Sequence, residues 1–490
     1  MNGFVFKKIT VEGVDISKFS LYVDGDKSTN LMGWESVKSV AYAENLSKLI
    51  ERKLVGVNVP VAETMGEGHY IVFSAHSLDV NRYDIKVENG NIYITGSYLS
   101  IDNAYNEFLS DVLGYNFEDE DANELQRELD ITAADSKVGD LGLGVPYNRE
   151  QLVKLFEEAN ERDDMIISGT HVFGDVGNSF EVQYVRERME KSAGKCCCLL
   201  EVDLGQYSKY CPHNKGVDTL SDYDLSRIVS ECYKFVCDGG IISTCIHMAN
   251  PLMNAPDGSW YRGNIGGNAN ANEMFTEGTE LHEKFLETLA PMLRFLRGLR
   301  DLGVPFLFRP LHEINGDWFW WCYRQRDGGE VLTQETMHNF WKCFYKILND
   351  DNGMKDLSVW VYAPSPMFDN LHCYAGDEYV DIVGVDWYTG LHPKYPDVPH
   401  PYGWGMSRNK PMALAEVGTG EDQRHFYDAI QLLDFMKDIM QKGCKISYFS
   451  TWTFDGSIAI MDKNKEFMEN EIILSLDDLA KRWARDSANK

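Results

Sequence analysis

Two glutamates carry the strongest chemical signal in this chain. Glu313 ends the short apolar run 305–313, with Arg309 and His312 just before it, and Glu416 lies near the end of another run, 411–417. A facing pair of carboxyl groups is what glycosidic cleavage needs. One, protonated, supplies a proton to the leaving oxygen, while the other, ionised, attacks the anomeric carbon; retention of configuration asks that they stand about 5–5.5 Å apart. Similar runs end in His247 (followed by Asn250-Pro251), in Asp386-Trp387-Tyr388 and in Trp452. Each also has a plainer reading: His247 and His312 as hydrogen-bonded core histidines, Asp386 as a brace for a neighbour, and at least one of Trp320 and Trp321 packed behind its strand. His312-Glu313 does not open a zinc-protease HExxH motif, because position 316 is Gly316 rather than histidine.

These residues must be positioned by the elements around them. Apolar runs recur at 165–172, 196–204, 239–247, 305–313, 357–363, 380–388, 411–417 and 446–454, and between most of them lie amphipathic stretches, at 149–160, 223–236, 280–302, 333–349 and 423–441. Eight strands alternating with helices over about 345 residues predict an α/β fold whose parallel sheet closes as a (β/α)8 TIM barrel. An open doubly wound sheet would place a glycine-rich turn after the first strand, and Gly169-Thr170-His171 is not one. Barrel active sites form at the C-terminal strand ends, where all the residues above fall. Strand alternation puts Arg309, Leu311 and Glu313 on one face, and Met412, Leu414 and Glu416 on another. Both acids are therefore expected to point into the barrel mouth, with Arg309 placed to hold one of them ionised.

The stretch Arg309-Pro310-Leu311-His312-Glu313-Ile314-Asn315-Gly316-Asp317-Trp318-Phe319-Trp320-Trp321 resembles the fourth-strand signature of glycoside hydrolase family 26, the β-mannanase family. The likeness extends to the other strand ends, across most of 150–485. It implies that Glu313 is the general acid/base and Glu416 the nucleophile, with Arg309 and His312 matching the family's Arg and His beside the acid/base. Tyr388 would orient the nucleophile, and His247, Trp318 and Trp452 would line the sugar subsites. Cys322 stands where Gly is common, Asn315 where an acidic residue is also found, and the low-complexity loop 263–272 either shapes the cleft or is flexible. The implied activity is cleavage of β-1,4-mannosidic linkages in mannan, glucomannan or manno-oligosaccharides by double displacement, with no metal or organic cofactor. The family also includes β-1,3-xylanases and mixed-linkage β-glucanases. A non-catalytic carbohydrate-binding barrel is a further reading, opposed by the presence of both glutamates and their supporting residues.

A net charge of −29 argues against nucleic acid or an anionic membrane as partner and suits a neutral β-linked polysaccharide or oligosaccharide. The 11 cysteines lie between Cys196 and Cys444; their odd number and the run Cys196-Cys197-Cys198 do not read as a disulfide framework, and buried reduced thiols are expected. Met1-Asn2-Gly3-Phe4 does not begin a basic and then apolar export signal. The sequence as written is expected in the cytoplasm, and outside the cell if a signal peptide precedes it. Residues 1–116 read as a small α+β accessory domain, with strands at 4–11, 19–24, 69–73, 83–87 and 92–95, helices at 37–52 and 104–112, and an Asn89-Gly90 hairpin turn. That order resembles the small non-catalytic domain preceding the barrel in hexosaminidases and related hydrolases. Residues 117–147 are expected as an acidic linker and 148–490 as the catalytic barrel. Composition carries no signal of oligomeric state.

Overall fold

The computed structural model describes residues 8–25, 38–54, 57–115, 128–172, 181–207, 222–326, 328–368, 371–388, 398–418, 428–452 and 456–488. Contacts divide the chain into two units, one of Met1–Leu143 with Leu220–Glu231 and one of Gly144–Thr219 with Cys232–Lys490.

In the N-terminal unit, strands Phe19–Val23, His69–Ser74 and Asn91–Gly96 run parallel. Arg82–Glu88 pairs antiparallel with the last of them, across a turn in which Asn89 (φ 52°) and Gly90 (φ 70°) are both left-handed. Two left-handed residues are what a tight two-residue hairpin requires, and Asn-Gly accepts them at little cost. The helix Lys38–Lys53 buries Ala43, Leu46 and Ile50, at helical spacing, in the same core as Leu21, Ile71, Phe73 and Ile94. The expected linker is corrected here. Glu128–Ile131 pairs parallel with Lys8–Val11, and Lys137–Asp140 forms an edge strand against Arg82–Glu88. Gly139 is a glycine because the Tyr83 ring crosses it; a Cβ there would come within 1.9 Å of that ring. The charged composition of 128–140 suits an edge strand as well as a linker, so pairing alone distinguishes the two. The acidic run 117–121 lies outside the described residues.

In the second unit eight parallel strands close into a barrel. They are Gly169–His171, Leu199–Asp203, Ile241–Cys245, Phe306–Arg309, Ser358–Tyr362, Ile382–Tyr388, Met412–Gly418 and Tyr448–Thr451, each paired with the next, and Thr170 opposite Thr451 closes the ring. The second, third, fifth and seventh are buried at every position. Strands covered on both faces by core and helices read as unbroken apolar runs, which is why the sequence shows runs here and not alternation.

The helices start at side-chain caps. Asn148 and Gln151 form a capping box before Arg149–Asn160, Thr279 and Thr333 each accept from the backbone N–H three residues on, and Asp428 caps Ala429–Gln441. Glu280–Asp301 buries Leu281, Phe285, Leu289, Met292, Leu296 and Leu299 at helical spacing, one apolar stripe. All ten described cysteines are unpaired thiols. Burial pushes Cys196 up to about 12, so it packs as a small apolar side chain. No described helix is long and apolar enough to cross a membrane.

Candidate active site

Arg309, the last residue of the fourth strand, is fully buried and is the centre of the site. Its guanidinium reaches three carboxyls from three other strands: Nε to Glu201 at 2.8 Å, Nη1 to Asp386 at 2.7 Å and Nη2 to Glu416 at 2.8 Å. One cation cannot compensate three buried anions. Burial pushes Asp386 well above the usual carboxylate range, against the pull of Arg309, and burial raises Glu201 as well. The Tyr388 hydroxyl donates to the other oxygen of Glu416. His171, at the end of the first strand, stands 3.8 Å from Glu416; burial and then the Arg309 charge hold it well below the usual histidine range, so it is neutral there.

Glu416 reaches this position through a β-bulge. Ala413 lies opposite Gly384, but Glu416 lies opposite Asp386, so the seventh strand holds one extra residue, and the same shift appears against the eighth strand. A bulge re-aims the side chains that follow it, so simple alternation from Met412 does not set the direction of Glu416. The expectation for the fourth strand is corrected in the same way. The strand ends at Arg309, and 310–316 is a turn in which Leu311 (φ 50°) and Glu313 (φ 54°) are both left-handed. Glu313 is therefore presented by a strained turn rather than by strand parity.

Around Glu313 the enclosure is aromatic. The Trp318 indole N–H donates to its carboxyl, and Trp318 comes this close because Gly316 has no side chain; a Cβ there would lie 2.9 Å from the Trp318 ring. Burial, followed by the charge of Glu416, pushes the Glu313 carboxyl up to about 8. The two carboxyls thus sit near enough to repel, one held by donors and the other kept as an acid.

His247 packs against the same segment. Its Nδ1 lies 2.7 Å from Asp203 and its backbone N–H donates to the same carboxylate. Burial pulls His247 down, but the charge and hydrogen bond of Asp203 outweigh it and leave the imidazole above its usual range. Asp203, despite burial, is lowered to about 2 by His247 and two backbone donors. The His247 ring meets His312 at 4.7 Å, Phe319 at 5.3 Å and Trp452 at 5.6 Å between centroids. Burial and the neighbouring His247 charge hold His312 well below the usual histidine range. Trp320 and Trp321 are both fully buried, with indole N–H groups on the carbonyls of Met248 and His312.

All eight residues singled out in the sequence converge here: Glu313, Glu416, Arg309, His312, His247, Trp318, Tyr388 and Trp452. Three partners were missed, namely His171, Glu201 and Asp203. Their signal was present, because His171 and Asp203 end the first two strands, and Glu201 and Asp203 are two acids inside an otherwise apolar run. Acids in such a run are seldom buried without a partner. The loop 263–272 is folded, with the helix Asn268–Met274 at its end. It is tied to the loop after Glu313 by Gln325, which accepts from Ile265 N–H and donates to the carbonyls of Trp320 and Cys322.

A buried arginine holding one of two strand-end glutamates, with the second raised by burial and by the first, is an arrangement for acid-assisted displacement at a sugar carbon. Residues 208–477 match the family model described as glycosyl hydrolase family 26, more than half of the chain. The chain belongs to glycosyl hydrolase family 26. Among its relatives, the mannan endo-1,4-β-mannosidase of Bacillus subtilis (strain 168) is 27% identical over 307 residues, covering 61% of this chain and 78% of that protein. The mannan endo-1,4-β-mannosidase A and B of Caldalkalibacillus mannanilyticus is 27% identical over 302 residues, 61% of this chain and 54% of that protein. A solved Bacillus subtilis mannanase superposes with a TM-score of 0.55 at 25% identity, covering 66% of this chain and 91% of that one. The family 26 match begins at residue 208, so the N-terminal unit up to Leu143 lies outside it.

Proposed function

We infer that this family 26 glycoside hydrolase is an endo-β-1,4-mannanase that acts with retention, on mannan, glucomannan or manno-oligosaccharides. The observation that carries the mechanism is the opposite treatment of two neighbouring carboxyls: Glu416 receives donors from Arg309 and Tyr388, while Glu313 is raised by burial and by Glu416. In the first step Glu416 attacks the anomeric carbon, the bond to the leaving oxygen breaks, and Glu313 gives that oxygen its proton. In the second, Glu313 takes a proton from water as the water oxygen bonds to the anomeric carbon and Glu416 departs. Tyr388 and Arg309 orient the nucleophile. His247, His312, Trp318 and Trp452 would line the sugar sites.

The substrate assignment is supported by the mannan endo-1,4-β-mannosidase relatives. It is tested by reducing-end release from mannan, glucomannan, xylans and lichenan; faster release from a β-1,3-xylan or lichenan than from mannan would replace it. The role of Glu416 is tested by Glu416→Ala, which should lose turnover on an aryl β-mannoside and regain it with azide, yielding the α-configured glycosyl azide. Unchanged turnover without azide would remove the assignment. For the N-terminal unit, the order strand, helix, strand, hairpin in one mixed sheet supports kinship with the small non-catalytic domain of hexosaminidase-type hydrolases.

A further inference from the structure

The acid/base turn contains two non-glycine residues in the left-handed region, Leu311 and Glu313. Such a conformation persists only where its surroundings over-determine it. Part of the clamp is backbone: Glu313 N–H donates to the carbonyl of Ala363 at 2.7 Å, and Gly316 N–H to that of Glu313 at 2.8 Å. A further part is the side chain of Asn315, which is fully buried. Its Nδ2 donates to the carbonyls of Ser365 (2.9 Å) and Phe368 (2.7 Å), and its Oδ1 accepts from Ser365 N–H at 2.8 Å. One amide thus ties the acid/base turn to 364–368, the loop leaving the fifth strand. That loop is anchored on its far side too, because Asp386 N–H donates to Pro364 at 3.2 Å. The Phe368 ring, held by this loop, packs on Trp318 at 5.7 Å between centroids, and Trp318 donates to the Glu313 carboxyl.

We propose that Asn315 is a positioning residue for proton transfer: it holds the loop that seats Phe368 on Trp318, and through Trp318 it aims the carboxyl of Glu313. The proposal rests on the reading of Glu313 as the acid/base. An amide is required for the chemistry of the clamp. Two donors and one acceptor leave a single planar group, and a carboxylate of the same shape would turn an acceptor toward two carbonyl oxygens. An acidic residue here would therefore open the clamp instead of preserving it.

The test uses the full chain and leaving groups that need different amounts of acid assistance. A 2,4-dinitrophenyl β-mannobioside departs with little protonation, whereas mannotetraose requires it. Asn315→Asp should leave kcat/KM on the dinitrophenyl substrate within about threefold of the parent and lower it on mannotetraose about a hundredfold, the lower range of what general acid catalysis contributes. Phe368→Leu, which keeps the Asn315 hydrogen bonds and removes the packing on Trp318, should show the same leaving-group dependence in smaller degree, and it serves if Asn315→Asp does not fold. Equal losses on both substrates, or no loss on either, would overturn the proposal. Glu313→Ala is measured alongside. Should it lack the leaving-group dependence, the acid/base reading fails and the proposal falls with it; should it have the dependence while the Asn315 and Phe368 variants do not, the proposal alone fails.

Discussion

If the charge of Glu416 helps to raise Glu313, neutralising Glu416 must let Glu313 fall. Glu416→Gln keeps the size of the side chain and removes its charge. With the carboxyls at the retaining separation of about 5.5 Å and an effective dielectric of about 20, their repulsion is roughly 3 kcal/mol. At about 1.36 kcal/mol per pH unit, this lowers the Glu313 midpoint by roughly two units, from about 8 to roughly 6. Burial, the larger cause, remains in the variant, so the midpoint should stay above the ordinary 4.5. The assay is a 13C NMR titration of protein labelled at the glutamate carboxyls, with the Glu313 resonance assigned by its loss in Glu313→Gln. Trapping Glu416 in the parent as a 2-deoxy-2-fluoromannosyl ester should lower the midpoint of the same resonance, since the ester is also uncharged. A change of less than roughly half a unit would refute the reasoning, because at that dielectric it corresponds to charges over ~20 Å apart. The functional meaning is direct. A carboxyl that is an acid before the glycosyl–enzyme bond forms becomes a base once that bond has removed its neighbour's charge.

Because Glu313 must be protonated to act as an acid, kcat/KM on mannotetraose should fall tenfold per unit as pH rises beyond about 8; a profile flat from about pH 8 to about pH 10 would contradict this. Asp203→Asn removes the charge that pairs with His247 and should cost about 2 kcal/mol, the depression of Asp203 from 3.8 to about 2 at about 1.36 kcal/mol per unit, seen as a lower melting temperature at neutral pH. Asp203 is depressed to about 2, so its stabilising contribution is complete above its ordinary 3.8 and is lost as pH falls toward 2, where variant and parent should converge. Identical melting at neutral pH would count against the pair. Gly316→Ala places a Cβ about 2.9 Å from the Trp318 ring and should push the indole off Glu313. It should lower kcat on mannotetraose at least tenfold, since misplacement on the scale of an ångström is costly in catalysis, with little change in melting temperature; full activity would show that Trp318 is free to shift.

Much of the barrel was legible because its strands are covered on both faces, so each one writes itself as an apolar run between amphipathic helices. The strand Met412–Gly418 and the helix Arg149–Asn160 lie within a residue of their expected bounds. What failed was the argument from alternation. It derived the directions of Glu313 and Glu416 from strand parity, but the backbone delivers one by a left-handed turn and the other by a bulge. Neither feature has a composition of its own: Leu311 and Glu313 are not the residues one expects at positive φ, and no glycine marks the bulge between Leu414 and Glu416. The edge strand Lys137–Asp140 was hidden for a related reason, since a charged stretch beside glycines reads as a connection until its pairing partner is known.

Local sequence determined the identity and order of the elements, the family signature from Arg309 to Trp321 with Glu313 inside it, and the presence of a second acid, Glu416, in a later apolar run. Those features depend on residues adjacent in the chain or one helical turn apart, so they survive without knowledge of the fold. Tertiary structure alone decided the charge state of the site. Glu201 and Glu416 lie over a hundred residues from Arg309 along the chain, yet both contact it. The rise of Glu313 comes from burial and from a neighbour on another strand. Coulomb interaction and desolvation depend on distance in space and on enclosure, and only the closed barrel sets either.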